Sequence, residues 1–204
     1  MIKIKYDFKR IKLIDFFLQD SGTEIEYQAS SPDESALVKG AAKFGIIFNS
    51  RQPEKIGIKF LEEDREYQVL NVLEFNSDRK RLSVILRDSA GTIKLYCKGA
   101  DNVIVPRISL HPVDFRDYTD ATVDHMEEFA KEGFRTLVLD YRIISQEEYD
   151  EWNTNHYLKA ATSIQNREKK IADAAELIEK NLIILGATAI EDKLQEGKFK
   201  ISPN

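Results

Sequence analysis

The sequence is poor in the features that stabilise secreted proteins or cross membranes. Its 204 residues include a single cysteine, Cys97, which excludes an internal disulfide framework and favours a reducing compartment. No apolar run approaches the roughly 20 residues that a membrane-spanning helix needs. The first residues, 1–5, lack the apolar core of a signal peptide. These absences predict a polypeptide that is soluble by itself and exposed to the cytosol.

The sequence also lacks the glycine-rich patterns of phosphate-binding loops and the spacing of metal-ligand residues. None of its nine glycines lies in a Gly-x-x-x-x-Gly-Lys-Ser/Thr or a Gly-x-Gly-x-x-Gly pattern. The three histidines, His111, His125 and His156, are isolated from one another and from cysteine, so we expect no metal site. A net charge of −5, from 30 basic and 35 acidic side chains, provides no basic field for nucleic acid, and no such partner is expected.

The hydrophobic pattern predicts one domain of layered α/β (α+β) class. Ser31-Pro-Asp-Glu34 is typical of a helix start, with a capping hydroxyl, a proline at the first position and an acid three residues after the cap. Leu37, Ala41 and Phe44 would form the apolar stripe of this helix. Residues 55–98 then alternate with the two-residue period of strands, one of them running from Val69 to Phe75. We therefore expect a mainly antiparallel twisted sheet flanked by helices.

One stretch combines an aromatic ring, hydroxyls and cations. It is Phe75-Asn-Ser-Asp-Arg-Lys-Arg-Leu-Ser83, and Lys98-Gly-Ala-Asp101 follows it after a hairpin. A flat ring can stack on a base, and cations at strand edges can hold phosphates. The pattern favours an adenine nucleotide, ATP, as the ligand. No nucleophile with a neighbouring base is visible, so we assign no catalytic residue.

Glu34 and Phe75 each allow two interpretations. The Glu34 carboxylate can accept a hydrogen bond from the Ser31 amide as part of a capping box, or from the exocyclic amine of adenine, which would discriminate against guanine. Phe75 can be an ordinary core residue or the stacking ring.

The cations are similarly open to two interpretations. Lys98 points away from Cys97 if the strand alternates, so it can enter a pocket beside Tyr96 or remain a solvated edge lysine. Arg135 is either a plain strand-edge charge or a fork aimed at phosphate oxygens. Residues 79–81 are predicted to lie consecutively in a strand, with Arg79 and Arg81 on one face and Lys80 on the other.

Taken together, these segments resemble the nucleotide-binding domain of type IV P-type ATPases, the phospholipid flippases. The matching stretches spread over most of the chain in the family's order. They are Tyr27-Gln-Ala-Ser-Ser-Pro-Asp-Glu-Ser-Ala-Leu-Val38, Phe75 to Val84, Lys98-Gly-Ala-Asp101, Phe129-Ala-Lys-Glu-Gly-Phe-Arg-Thr-Leu137 and Leu185-Gly-Ala-Thr-Ala-Ile-Glu-Asp-Lys-Leu-Gln195.

The resemblance implies the role of each candidate residue. Glu34 would contact the adenine amine, Phe75 would stack on the ring, Lys98 would line the pocket floor and Arg135 would reach the phosphates. Ser77 and Lys80 are further candidates for nucleotide binding.

The resemblance also implies a larger parent protein. Residues 1–195 would form one nucleotide-binding domain excised from a membrane ATPase, and residues 196–204 a tail towards its phosphorylation domain. The family's phosphorylated aspartate, in Asp-Lys-Thr-Gly-Thr, and its magnesium-site motifs do not occur in this sequence. ATP would therefore bind to this chain, whereas Mg²⁺ would serve only the full-length enzyme. The isolated chain would be an inactive, monomeric cytosolic domain of an integral membrane protein.

The implied partners are the phosphorylation and actuator domains of the same parent chain, and an accessory subunit that would contact its membrane part. One departure from the family lies near the amino terminus. There, Leu18-Gln-Asp-Ser-Gly-Thr23 stands where the family has a longer helix that contains a Cys-His pair.

Two other function classes remain open at this point. One is a regulatory or scaffolding module with the same fold and no productive nucleotide binding, and the other is a self-contained kinase or hydrolase.

Overall fold

The computed structural model describes the backbone of residues 2–4, 17–20 and 25–28, and the backbone and side chains of residues 31–109 and 119–191. The predicted boundary at residue 195 and the predicted tail at 196–204 lie outside these residues, as do residues 21–23 of the segment that departs from the family. Among the described residues, no helix has the length and apolar character required to cross a lipid bilayer.

Eight antiparallel strands form the main sheet of the described chain, in the order β1-β10-β9-β8-β7-β6-β5-β4. These strands are β1 (Ile2–Ile4), β4 (Ile46–Gln52), β5 (Lys55–Phe60), β6 (Glu63–Leu73), β7 (Arg81–Arg87), β8 (Ile93–Gly99), β9 (Phe134–Ile144) and β10 (Ile183–Glu191). A separate two-stranded sheet pairs β2 (Phe17–Asp20) with β3 (Ile25–Gln28). The predicted antiparallel α/β fold is therefore confirmed.

Six α-helices flank this sheet in the described residues: α1 (Pro32–Lys43), α2 (Asp101–Ile104), α3 (Thr119–Lys131), α4 (Gln146–Trp152), α5 (Leu158–Ala161) and α6 (Arg167–Ile178). A 3₁₀ turn over Val105–Arg107 follows α2, and a π-helical turn over Asn153–Tyr157 joins α4 to α5. The predicted cap of α1 is present, since the Ser31 hydroxyl accepts the Glu34 amide at 3.2 Å.

The two faces of the sheet bury separate hydrophobic clusters. On one face, Val38 and Ala41 of α1 pack with Val84, Tyr96 and Tyr141. On the other, side chains from α3, α4 and α6 pack over the alternate residues of the same strands; this cluster includes Leu73, Ile85, Leu95, Cys97, Met126, Trp152 and Ile178. Because neighbouring residues of a strand point to opposite faces, the central strands are apolar on both sides.

Two expectations about local structure were wrong, and a third element was not predicted. Phe44 does not belong to the apolar stripe of α1: it caps the carboxyl end of the helix and is 53% exposed. The strand predicted to reach Phe75 ends at Leu73. Strand β4, which supplies one edge of the sheet, was not anticipated. In each case the deviation occurs at the end of an element or at the sheet edge, where burial depends on neighbours that periodicity does not identify.

Candidate functional site

The start of α1 places two acids at one end of the sheet. The Ser31 cap fixes the first turn, so Asp33 and Glu34 project from it. The Glu34 carboxylate does not serve the reciprocal half of a capping box: Oε1 accepts a hydrogen bond from Lys98 Nζ. Glu34 Oε2 is buried and has no hydrogen-bond partner among the residues that the structure describes. No described residue therefore uses the hydrogen-bonding capacity of this oxygen.

Lys98 meets Glu34 from the second-last position of β8. As predicted, its neighbour Cys97 points into the opposite cluster and Tyr96 packs on the α1 side of the sheet. The side chains of Lys98 and Glu34 are only 12% and 14% exposed, so the ion pair lies mostly away from water. A charged hydrogen bond is stronger in such surroundings than on an open surface.

Phe75 lies in the loop 74–80 between β6 and β7, which we call the Phe75 loop. Its ring is 60% exposed, which contradicts the core interpretation of this residue. Ser77 and Lys80 are also exposed in the same loop. Lys80 adopts a left-handed conformation, with φ of 49°, and its carbonyl accepts the Ala100 amide at 3.1 Å. The loop is thereby joined to the end of β8, two residues beyond Lys98.

The run Arg79-Lys80-Arg81 is not a continuous strand, because β7 begins only at Arg81. Arg79 and Arg81 do share one side, as predicted, but both guanidinium groups are buried and both bind Glu179. Their charges are therefore already paired. Of these three cations, only Lys80 is exposed in the structure.

Arg135 reaches the same end of the sheet from β9. Lys98 lies opposite Leu139 of β9, and the two-residue period of that strand places Arg135 on the face that carries Lys98. The Arg135 guanidinium is exposed and donates to Asp33 Oδ2 at 3.0 Å. Two acids of α1 thus pair with two cations from neighbouring strands.

A buried charge network behind the Phe75 loop was missed by sequence reasoning. Glu179 accepts Arg81 Nε at 2.6 Å and the Ser83 hydroxyl at 2.5 Å, in addition to Arg79. Burial opposes the charge on Arg81, but the Glu179 carboxylate and the hydrogen bond to Glu176 outweigh it and raise the pKa of Arg81. The only available signal was Glu179 itself, an acid that directly follows the apolar Leu177 and Ile178.

Glu176 extends the network to the surface. It accepts hydrogen bonds from Arg81 at 2.5 Å and from Arg107 at 2.8 Å. Burial raises the pKa of Glu176, but these two arginines lower it by a larger amount. No group of three or more His, Cys, Asp or Glu side chains arranged to hold a metal occurs in the described part of the chain.

The structure brings together the candidate residues in two groups at one end of the sheet. Glu34 and Lys98 are in contact, and Arg135 is tied to the helix turn that carries Glu34. Phe75, Ser77 and Lys80 share the adjoining loop. The arrangement offers a hydrogen-bond acceptor and a cation in a mostly buried position. An exposed aromatic ring and an exposed cation lie in the loop that is hydrogen-bonded to the residue after β8.

Comparison with known proteins identifies the family of this chain. Residues 17–197 match the family model described as "P-type ATPase, cytoplasmic domain N". The chain is 52% identical over 179 residues to phospholipid-transporting ATPase DRS2 of Saccharomyces cerevisiae, a match that covers 87% of this chain and 13% of that protein.

Two further relatives carry similar names. Phospholipid-transporting ATPase tat-1 of Caenorhabditis elegans is 48% identical over 84% of this chain and 15% of its own length. Phospholipid-transporting ATPase ID of Mus musculus is 46% identical over 85% of this chain and 14% of its own length. The chain thus spans about one seventh of each of these relatives. The resemblance to type IV P-type ATPases is confirmed, and the chain belongs to the family of P-type ATPase cytoplasmic N domains.

Proposed function

We propose that this chain binds ATP through its adenine and presents the γ-phosphate to the phosphorylation domain of the same parent protein, a phospholipid-translocating P-type ATPase. The observation that carries the proposal is Glu34: its carboxylate is mostly buried, is held by Lys98, and keeps Oε2 without a partner among the described residues. The exocyclic amine of adenine can donate to that oxygen. Guanine carries an oxygen at the equivalent ring position, which the carboxylate would repel.

The remaining candidates fit the rest of the nucleotide. Phe75 offers an open ring on which the base can stack. Arg135, with its planar guanidinium, and the exposed Lys80 would attract the phosphates, and Ser77 can donate a hydroxyl. Arg135 would exchange Asp33 for a phosphate oxygen in doing so.

The proposed division of labour leaves the chemical step to other domains. The phosphorylated aspartate and the magnesium carboxylates of the family lie in motifs that this sequence does not contain. The phosphorylation and actuator domains of the parent chain are therefore the proposed partners, together with an accessory subunit at its membrane part. A site that holds mainly the base should bind weakly, with a dissociation constant near 1 mM, or about −4 kcal/mol.

The test is an NMR titration of the chain with ATP and GTP, repeated on Phe75→Ala and Glu34→Gln. Phe75→Ala should weaken ATP binding by about tenfold, since stacking of a base on an aromatic ring contributes about 1–3 kcal/mol. Glu34→Gln should reduce the preference for ATP over GTP. Phe44→Ala is the matched control, because Phe44 is similarly exposed but lies at the other end of α1.

Two outcomes would contradict the proposal. The first is the absence of saturable shifts at tens of millimolar ATP, which would favour a scaffolding or regulatory module. The second is an equal loss of affinity in the Phe75 and Phe44 variants, which would place the base elsewhere.

A phosphate-release assay on the same samples should detect no ATP hydrolysis, with or without Mg²⁺. Hydrolysis that persists on further purification would support a self-contained enzyme.

A further inference from the structure

The Phe75 loop is held by one buried arginine within it. Arg79 Nη1 donates to the carbonyl of Glu74 at 2.7 Å, and the Arg79 amide donates to Asn76 Oδ1 at 2.7 Å. The Lys80 amide closes the turn on the Asn76 carbonyl at 2.8 Å. The residues on both sides of Phe75 are therefore fixed by hydrogen bonds that involve Arg79 directly.

The other branch of this guanidinium is anchored in the core. Arg79 Nη2 donates to Oε1 of Glu179, which is buried at the carboxyl end of α6. The Glu179 amide bonds the Ala175 carbonyl at 3.0 Å, and its carboxylate also binds Arg81 and Ser83 of β7. The Phe75 loop is thus connected through two side chains to α6 and to the central strand of the sheet.

Stability alone is a weak explanation for the buried ion pair of Arg79 and Glu179. Removing two charges from water is costly, and well-packed apolar residues commonly replace a buried ion pair without loss of stability. An apolar pair cannot provide the rigid, planar guanidinium group of arginine, which holds two hydrogen-bond acceptors at a fixed angle. Phe75 needs such support, because a ring that is 60% exposed receives little orientation from packing.

We infer that Arg79 and Glu179 are positioning residues for Phe75: together they hold the Phe75 loop so that the ring stays open to a base instead of collapsing onto the sheet. This inference rests on the proposed adenine site, and it assigns neither residue a contact with the nucleotide. Its distinguishing consequence is that both residues act on ATP binding mainly through Phe75, with a smaller contribution through Ser77 and Lys80 of the same loop.

The first test measures the loop without any nucleotide. Arg79→Lys keeps a positive charge beside Glu179, but a single ammonium cannot reproduce the fork that reaches Glu74. Hydrogen exchange of the amides of residues 75–80 should become at least several-fold faster in this variant. The matched control is Arg142→Lys, since Arg142 is also buried and also binds the end of α6, through the carbonyls of Ile178 and Lys180, but does not contact the loop.

The second test is a double-mutant cycle on ATP affinity. Arg79→Lys should weaken ATP binding by about tenfold in the wild-type background and by less than twofold in the Phe75→Ala background. Asn76→Ala, at an exposed position of the same loop, provides a second variant that leaves the core intact and should show the same dependence on Phe75.

The outcomes separate this inference from the proposed function. Unchanged hydrogen exchange in Arg79→Lys and Asn76→Ala, or equal losses of ATP affinity with and without Phe75, would overturn the positioning role. If the wild-type chain binds no ATP, the proposed function fails, and the exchange rates alone then decide whether Arg79 holds the loop.

Discussion

Asp33 and Glu34 are adjacent in the first turn of α1, yet their environments differ. Glu34 pairs with Lys98 in a mostly buried position, whereas Asp33 pairs with Arg135 at the surface. An exposed pair of this kind contributes about 0.2–1 kcal/mol and is screened by salt. The second pair can therefore exchange partners easily, and under the proposed function Asp33 competes with phosphate for Arg135.

Asp33→Asn should tighten ATP binding by up to about fivefold, because the competing ion pair contributes up to about 1 kcal/mol. Adenosine binding should not change, since it involves no phosphate. Titrations with both ligands at low and high salt measure the effect. Asp120→Asn, in the first turn of α3, controls for the loss of an acid at a helix start. Weaker ATP binding, or an equal gain for adenosine, would show that Asp33 does not compete with the phosphates.

Asp140 is the least satisfied acid that the structure describes. It lies opposite Cys97 in the sheet, is 1% exposed, and neither carboxylate oxygen has a hydrogen-bond partner among the described residues. Burial and the nearby Glu179 carboxylate raise the pKa of Asp140 well above its usual value, and Arg81 opposes them only in part. The folded protein therefore favours the protonated form of Asp140. Once the pH exceeds the unfolded pKa, this preference lowers the free energy of unfolding.

The sign of the pH dependence follows from linkage. The folded pKa of Asp140 exceeds the unfolded value of about 3.9. The contribution of Asp140 to the free energy of unfolding is therefore fully present below about pH 3.9 and is lost as the pH rises towards the folded pKa. The loss amounts to at most about 1.4 kcal/mol per pH unit. Asp140→Asn should remove this loss. Relative to wild type, its free energy of unfolding should therefore increase from pH 4.5 to pH 7.5 in urea titrations. The exposed Asp173→Asn serves as control, and a pH-independent difference for Asp140→Asn would contradict the assignment.

The candidate site lies at only one of the two ends of the hairpin that β7 and β8 form. At that end, Gly99 lies opposite Arg81, and a β-carbon on Gly99 would lie 2.6 Å from the Arg81 β-carbon and 2.8 Å from the Lys80 carbonyl oxygen. The close approach allows the Ala100 amide to reach Lys80. At the other end, Gly91 has a φ of +82° and open space around it.

Gly99→Ala should lower the free energy of unfolding by about 1–3 kcal/mol, because the backbone of β8 must move away from Lys80. It should also weaken ATP binding, since Lys98 and Lys80 flank the contact. Gly91→Ala should cost about 1 kcal/mol through its left-handed conformation but leave ATP affinity unchanged. Urea unfolding and ATP titration of both variants measure this contrast, which would disappear if the close approach at Gly99 did not shape the site.

In the molecule as a whole, one sheet separates two clusters of different character. The α1 face ends in the two ion pairs of the candidate site, while the opposite face buries the network of Arg79, Arg81 and Glu179 beneath the Phe75 loop. The site therefore depends on both faces: α1 provides the acids, and α6 supports the loop. Neither helix could position these side chains without the sheet between them.

Much of this architecture follows from local chemistry. The Ser31-Pro32 cap predicted the start of α1, and alternation predicted that Cys97 and Lys98 would face opposite clusters. The burial of Arg79 was not predictable in this way, because a run of three cations has the same pattern whether it is solvated or paired. The left-handed turn at Lys80 also ends the alternation on which the strand prediction relied.

The residue pattern by itself determined most of the helices, the antiparallel meander and the family, because caps, turns and two-residue alternation act between residues that are close along the chain. Only the tertiary structure decided which cation each acid binds. Glu34 and Lys98 are 64 residues apart and Arg79 and Glu179 are 100 apart, so their pairing depends on how α1 and α6 dock on the sheet. Docking also leaves Phe75 exposed and Asp140 buried, since burial is a property of the packed layers and not of the strand that carries the residue.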